Sequence, residues 1–192
     1  MTLLILGLFL FLSVHSIRIV ADDFRTARIR AWGDNGWKAA YSVVSIAGLV
    51  LIVYGYGLSR AAPVDLWNPP VWTRHLASLL TLPAFILLVA AKVPGSHLKA
   101  RLKHPMVLGV KLWALAHLLA NGRLADVLLF GGFLLWAALC FRAARARDRA
   151  QGTEYRAVGV SRDLATVAIG TAFWVAFALW LHAPLIGVRP FG

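Results

Sequence analysis

The residues of this chain best suited to chemistry are its six histidines, His15, His75, His97, His104, His117 and His182. His117 stands out. It lies within the apolar run KHPMVLGVKLWALAHLLANG, from Lys103 to Gly122, where a neutral imidazole at bilayer depth needs a hydrogen bond, a cavity or a metal, because lipid offers it no partner. None of the eight carboxylates falls in the middle of an apolar stretch. This excludes a carboxylate-bridged di-iron bundle, which requires inward-pointing glutamates and Glu-x-x-His pairs; the H-E-x-x-H zinc motif is absent as well. What remains is imidazole chemistry without carboxylates. A b-type haem suits that inventory, since it brings its own equatorial ligands and asks the protein for one or two nitrogens and an apolar slot. The single cysteine, Cys140, rules out both an intramolecular disulfide and a C-x-x-C-H covalent haem attachment, so any haem would be held non-covalently.

The elements that must position these residues are membrane helices. With 60% hydrophobic and 15% charged residues, the chain is expected to be an all-α integral membrane protein. Stretches approaching the roughly 20 apolar residues of a helical span are Thr2–Val20, Trp37–Ser59, Trp72–Ala91, Pro105–Ala120, Leu124–Phe141 and Leu164–His182, which predicts a bundle of about six transmembrane helices forming one domain over residues 1–192. Asn121-Gly122 leaves only a short turn between the fourth and fifth, which form either two spans or a re-entrant hairpin. The first segment has no basic leader and no small-x-small cleavage site, and reads as a retained helix.

The formal charge of +12 is segregated by loop, with Arg25, Arg28, Arg30 and Lys38 on the first, Lys92, Lys99, Arg101 and Lys103 on the third, and Arg142 to Arg162 on the fifth. The positive-inside rule then puts these loops in the cytoplasm and both termini on the opposite side of the membrane. The basic residues are expected to meet anionic lipid head groups, not nucleic acid. An alternative use of Arg142–Arg149 is as a docking surface for a protein partner.

Depth ranks the histidines. At 1.5 Å per residue, His15 lies roughly 8 Å inside the cytoplasmic end of its helix and His117 roughly 20 Å above His104. His15 with His104 and His75 with His117 are the two level pairs; His15 with His117 is offset by about 12 Å. His104 and His117, thirteen residues apart, point roughly 140° apart around one helix and cannot grip the same metal. Trp113, at i−4 from His117, is placed to stack on a haem edge or orient the imidazole. His104 precedes Pro105 and either ligates or closes the start of the helix. His75, beside Arg74, is either a ligand or an interfacial residue. Lys111 either snorkels to the cytoplasmic side or faces an anionic group such as a haem propionate. His97 and His182 are expected to be solvated.

The segments Leu8–Val20 (LFLFLSVHSIRIV), Arg74–Leu76, Phe85–Ala91 and Lys103–Gly122 resemble the NnrU family of bacterial membrane proteins, over almost the whole chain. The resemblance implies a bacterial inner membrane, with both termini therefore periplasmic, and an association with denitrification, the reduction of nitrite and nitric oxide, and with its enzymes. That family is in turn similar to zeta-carotene isomerase, whose b-type haem is needed to isomerise a double bond and whose ligands fall in an H-S pair and a W-x-L-A-H segment. These match His15-Ser16 and Trp113–His117. The resemblance therefore implies His15 and His117 as metal ligands and a hydrophobic small-molecule substrate. Ala114 stands where the isomerase has a cysteine that exchanges at iron, so ligand switching of that kind is not implied. KHPMVLG is also similar to the R-H-P-x-Y-x-G signature of membrane methyltransferases, but the tyrosine is replaced by Val107 or Leu108, and the glutamate pair of those enzymes is reduced to Glu154 in a basic loop.

Overall fold

Apolar residues run around the whole circumference of most segments, so helices form and leave their flanks to lipid, with backbone polar groups paired internally. A computed structural model describes residues 1–191 and is helical with no strand among them. The order is α1 (Thr2–Val20), α2 (Asp22–Ser59), α3 (Trp72–Lys92), a short α4 (His97–Leu102), α5 (Pro105–Ala120), α6 (Leu124–Gln151) and α7 (Val160–Ala176), which passes through a π-helical turn (Phe177–Leu181) into α8 (His182–Ile186). Five helices are long and apolar enough to cross a bilayer: α1, α2, α3, α6 and the continuous Val160–Ile186. This is a multi-pass membrane protein. The remaining expected span, α5, has 16 residues, about 24 Å of helix against a hydrocarbon core of about 30 Å.

Two expected loops are helical instead. The basic stretch Arg25–Lys38 belongs to α2, which breaks at Gly33 (φ 71°, ψ 167°), a conformation open to glycine because it has no Cβ. Arg142–Arg149 extends α6 beyond Phe141 until Gly152 closes it in the left-handed region. Charged residues that a hydropathy reading assigns to loops continue a helix wherever nothing in the sequence stops it.

Neighbours follow the order α2, α1, α6, α5, α3, α7. The core, formed by Leu4, Leu8, Ile52, Ala114, Ala125, Leu129 and Phe130, sits where α1, α2, α5 and α6 meet. The opposite face of α2, with Val43, Ile46, Val50 and Val53, is exposed as a lipid-facing stripe must be. The α1–α2 contact depends on missing side chains: a Cβ on Gly55 would run into the backbone of Leu4, and one on Gly48 would lie 2.8 Å from the Phe11 nitrogen. Small residues let membrane helices approach until van der Waals contact holds them.

At the end of the bundle where α2 stops and α3 starts, the connecting segment is strapped across the α5–α6 turn. Leu66 N–H donates to the Gly122 carbonyl (2.8 Å) and Leu124 N–H to the Val64 carbonyl (2.9 Å), and a Cβ on Gly122 would collide with the Trp67 carbonyl. Gly55→Leu meets rigid backbone and is expected to cost about 3 kcal/mol, measured as a lowered unfolding midpoint in detergent, whereas Val50→Leu on the lipid face is expected to leave the midpoint unchanged.

Candidate functional site

His117 sits one turn from the end of α5. Its Nδ1 lies 2.8 Å from the Trp113 carbonyl, and because a carbonyl only accepts, Nδ1 carries the proton and Nε2 keeps a free lone pair. The ring is stacked on Phe130 (centroids 4.6 Å apart, planes at 28°) and meets Trp113 at 5.2 Å. Asn121 Nδ2 donates to the His117 carbonyl at 2.8 Å, satisfying one of the acceptors left over at the helix end. The imidazole is thus fixed in tautomer and orientation by its own helix.

It lines a cavity of about 1330 Å³ between the end of α2, the starts of α3 and α6, the end of α5 and the last turns of α7 and α8. The wall is aromatic, with Phe85, Trp113, Phe130, Trp174 and Phe177, and Arg60, Arg74, Arg123 and Arg189 also line it. The Trp174 indole N–H donates to Thr81 Oγ1 (3.0 Å), fastening α7 to α3.

Two lining residues escaped the sequence reading. Asp126, in the first turn of α6, is 3% exposed. It accepts from the Tyr56 hydroxyl at 2.5 Å and from the Arg123 N–H at 3.1 Å, so a buried carboxylate stands in the wall that holds His117. Its position three residues after Arg123 at a helix start was the available signal. His182, expected to be solvated, also lines the cavity, with Nδ1 2.7 Å from the Val188 carbonyl. The π-helical turn at Phe177–Leu181 lies between Trp174 and His182, so α-helical spacing in the sequence could not have placed His182 on the lining.

The family model described as NnrU protein matches residues 3–190. The chain belongs to the NnrU family. No curated protein and no solved structure matches it.

The residues that family resemblance and depth singled out are dispersed in this NnrU member. Trp113 and His117 share the cavity. His15 does not line it. Its Nδ1 donates to the Phe11 carbonyl (2.7 Å), and the ring stacks on Phe11 at 4.0 Å beside Tyr41 and Trp136. Phe11 meets Phe133 at 5.6 Å and Phe133 meets Trp113 at 5.6 Å, so the two histidines touch opposite ends of a chain of three rings in contact and not each other. Their partners on α6, Phe130 for His117 and Trp136 for His15, are six residues apart, about 9 Å of rise. The depth offset expected from the sequence is thus present, and the structure does not gather His15 and His117 around one space.

His75 is exposed at the start of α3, while its neighbour Arg74 lines the cavity. His104 lies at the opposite end of the bundle, where its Nε2 donates to Asp148 at 2.8 Å and Tyr155 donates to the other oxygen of Asp148 at 3.1 Å. Burial, together with that hydrogen bond, raises the Tyr155 phenol above its ordinary value. Lys111 lies over the Phe141 ring, its Nζ 5.5 Å from the centroid, directly before the arginine-rich stretch of α6 and away from His117. Among the described residues no three His, Cys, Asp or Glu side chains gather as a metal cluster.

Asp126→Ala leaves the Tyr56 hydroxyl and a backbone N–H without their acceptor, and is expected to cost about 2–3 kcal/mol by thermal unfolding in detergent. The exposed pair Asp65–Arg123, at 3.3 Å, serves as the control; Asp65→Ala should cost under about 1 kcal/mol.

Proposed function

We propose that this NnrU protein is a b-type haem protein of the bacterial inner membrane, with the cavity as the haem site, His117 Nε2 as the atom that would hold its iron, and a role in the redox chemistry of nitrogen oxides. The observation that carries this reading is the held imidazole: Nδ1 pinned at 2.8 Å to a backbone carbonyl, Nε2 free, and the ring lining a large aromatic cavity. Histidines that ligate metals are held in this way, through a hydrogen bond on the second ring nitrogen that fixes the tautomer and raises ligand basicity.

The residues present fit the group. The cavity of about 1330 Å³ has room for a macrocycle, and Trp113, Phe85, Phe177 and Trp174 offer flat apolar walls to its faces and edges. Arginines among the lining residues suit the two carboxylates of a haem, since a guanidinium pairs with a carboxylate through two parallel hydrogen bonds. When bound, haem supplies one-electron redox chemistry and an iron centre for small ligands or for polarising a double bond. The chain supplies the rest: His117 binds, Trp113 and Phe130 orient its ring, and Asp126 with Tyr56 keeps an acidic group and its proton donor in the wall. Space remaining beside the haem would admit a small or elongated apolar substrate, in keeping with the similarity of Trp113–His117 to the isomerase segment.

Visible spectra of detergent-purified protein from haem-replete cells test the reading. Resolved α and β bands on dithionite reduction are expected in the wild type, and His117→Ala should lose most of the bound haem. A colourless wild type, or full loading with an unchanged spectrum in His117→Ala, would overturn it.

A further inference from the structure

His117 shares its cavity with a second histidine held in the same manner. His182 opens α8, directly after the π-helical turn Phe177–Leu181. A turn of this kind takes in one extra residue, which rotates everything after it by about 100° relative to an unbroken α-helix; such turns concentrate at functional sites. Beyond it, Nδ1 of His182 donates to the Val188 carbonyl at 2.7 Å. As in His117, the only lone pair left on the ring is at Nε2. The Phe177 ring stands edge-on to His182 at 5.7 Å, and both line the cavity. His117 and His182 both line this cavity, while His15 does not and packs against Phe11, Tyr41 and Trp136.

We infer that His117 and His182 form the imidazole pair of the cavity, with His182 rather than His15 as the second axial ligand. The inference rests on the haem reading of the cavity. Two imidazoles are a complete protein contribution for haem, whose four remaining positions are filled by the macrocycle.

The two ligands differ in how firmly they are held. His117 is anchored inside α5 between Trp113 and Phe130, whereas the anchor of His182 is a carbonyl in the segment Val188–Phe191, which folds back so that Phe191 meets Trp174 at 6.1 Å. His182 is consequently the exchangeable ligand. Movement of that segment would release its Nδ1 contact and with it the position of Nε2, so His182 would be the less firmly fixed of the two residues holding the group.

Two measurements separate this pairing from the haem reading itself. In haem-loaded protein, His182→Ala is expected to retain haem but lose the low-spin signature, shift its Soret band to that of five-coordinate haem, and regain the low-spin spectrum with added imidazole. His15→Ala is expected to match the wild type. A low-spin spectrum unchanged in His182→Ala, or lost in His15→Ala, overturns the pairing while leaving haem binding intact. Without any cofactor, the Cys140→Ala, His117→Cys, His182→Cys variant should be cross-linked within one chain by a short bis-maleimide, and the corresponding His15→Cys, His182→Cys variant should not. Failure of the first cross-link overturns the pairing whatever the spectra show, and a colourless wild type with efficient cross-linking overturns the haem reading alone.

Discussion

Lipid offers no hydrogen bonds, so each imidazole inside this bundle has to be satisfied by the chain itself. The i−4 carbonyl serves this purpose for both His15 and His117, and a carbonyl of the returning chain serves for His182. Because a carbonyl cannot donate, the same bond that removes the penalty for burying Nδ1 also decides the tautomer and leaves a lone pair at Nε2. A requirement of folding in lipid thereby leaves one ring nitrogen uncommitted. His117 and His182 present that lone pair in the cavity, and His15 presents it among Phe11, Tyr41 and Trp136, where the Trp136 indole nitrogen is buried with no partner.

The cavity exists because α5 is short and its surroundings are tied down. With 16 residues, the helix ends below the level a full span would reach, and the segment between α2 and α3 bends over its end through the Gly122 contacts. Asp126 stiffens the same corner by joining α2, through Tyr56, to the start of α6. A buried carboxylate is tolerable there only because both of its oxygens accept hydrogen bonds. Supports of this kind hold His117, Trp113 and Phe130 in register while leaving the space beside them open.

The other end of the bundle uses its histidines differently. His104 and His97 each face a carboxylate, Asp148 at 2.8 Å and Asp163 at 2.6 Å, and the two pairs flank the short α4. Asp148 is 8% exposed and binds Tyr155 as well, so α5, α6 and the segment before α7 are joined at one point. These imidazoles serve as cross-braces, with their donor groups committed to carboxylates. His104 is the N-cap residue of α5 beside Pro105, but its ring makes no cap hydrogen bond and is given to Asp148 instead.

Membrane class, most of the helices and the Trp113–His117 contact were legible in the sequence, because hydropathy and the i, i+4 relation are local properties of a chain. The continuation of α2 and α6 through charged stretches was less legible, since charge marks a membrane boundary without marking a helix end. Depth along a helix follows from residue counting alone, and the expected offset between His15 and His117 recurs in the structure. Partnership does not follow from counting. Whether Asp126 is solvated or buried, whether His182 faces water or a cavity, and whether His15 and His117 share one space depend on which helices are neighbours and how each is rotated. Only packing between segments distant in sequence decides that, because small residues such as Gly55 and Gly122 set how close the backbones come and the π-helical turn sets the direction of the last histidine.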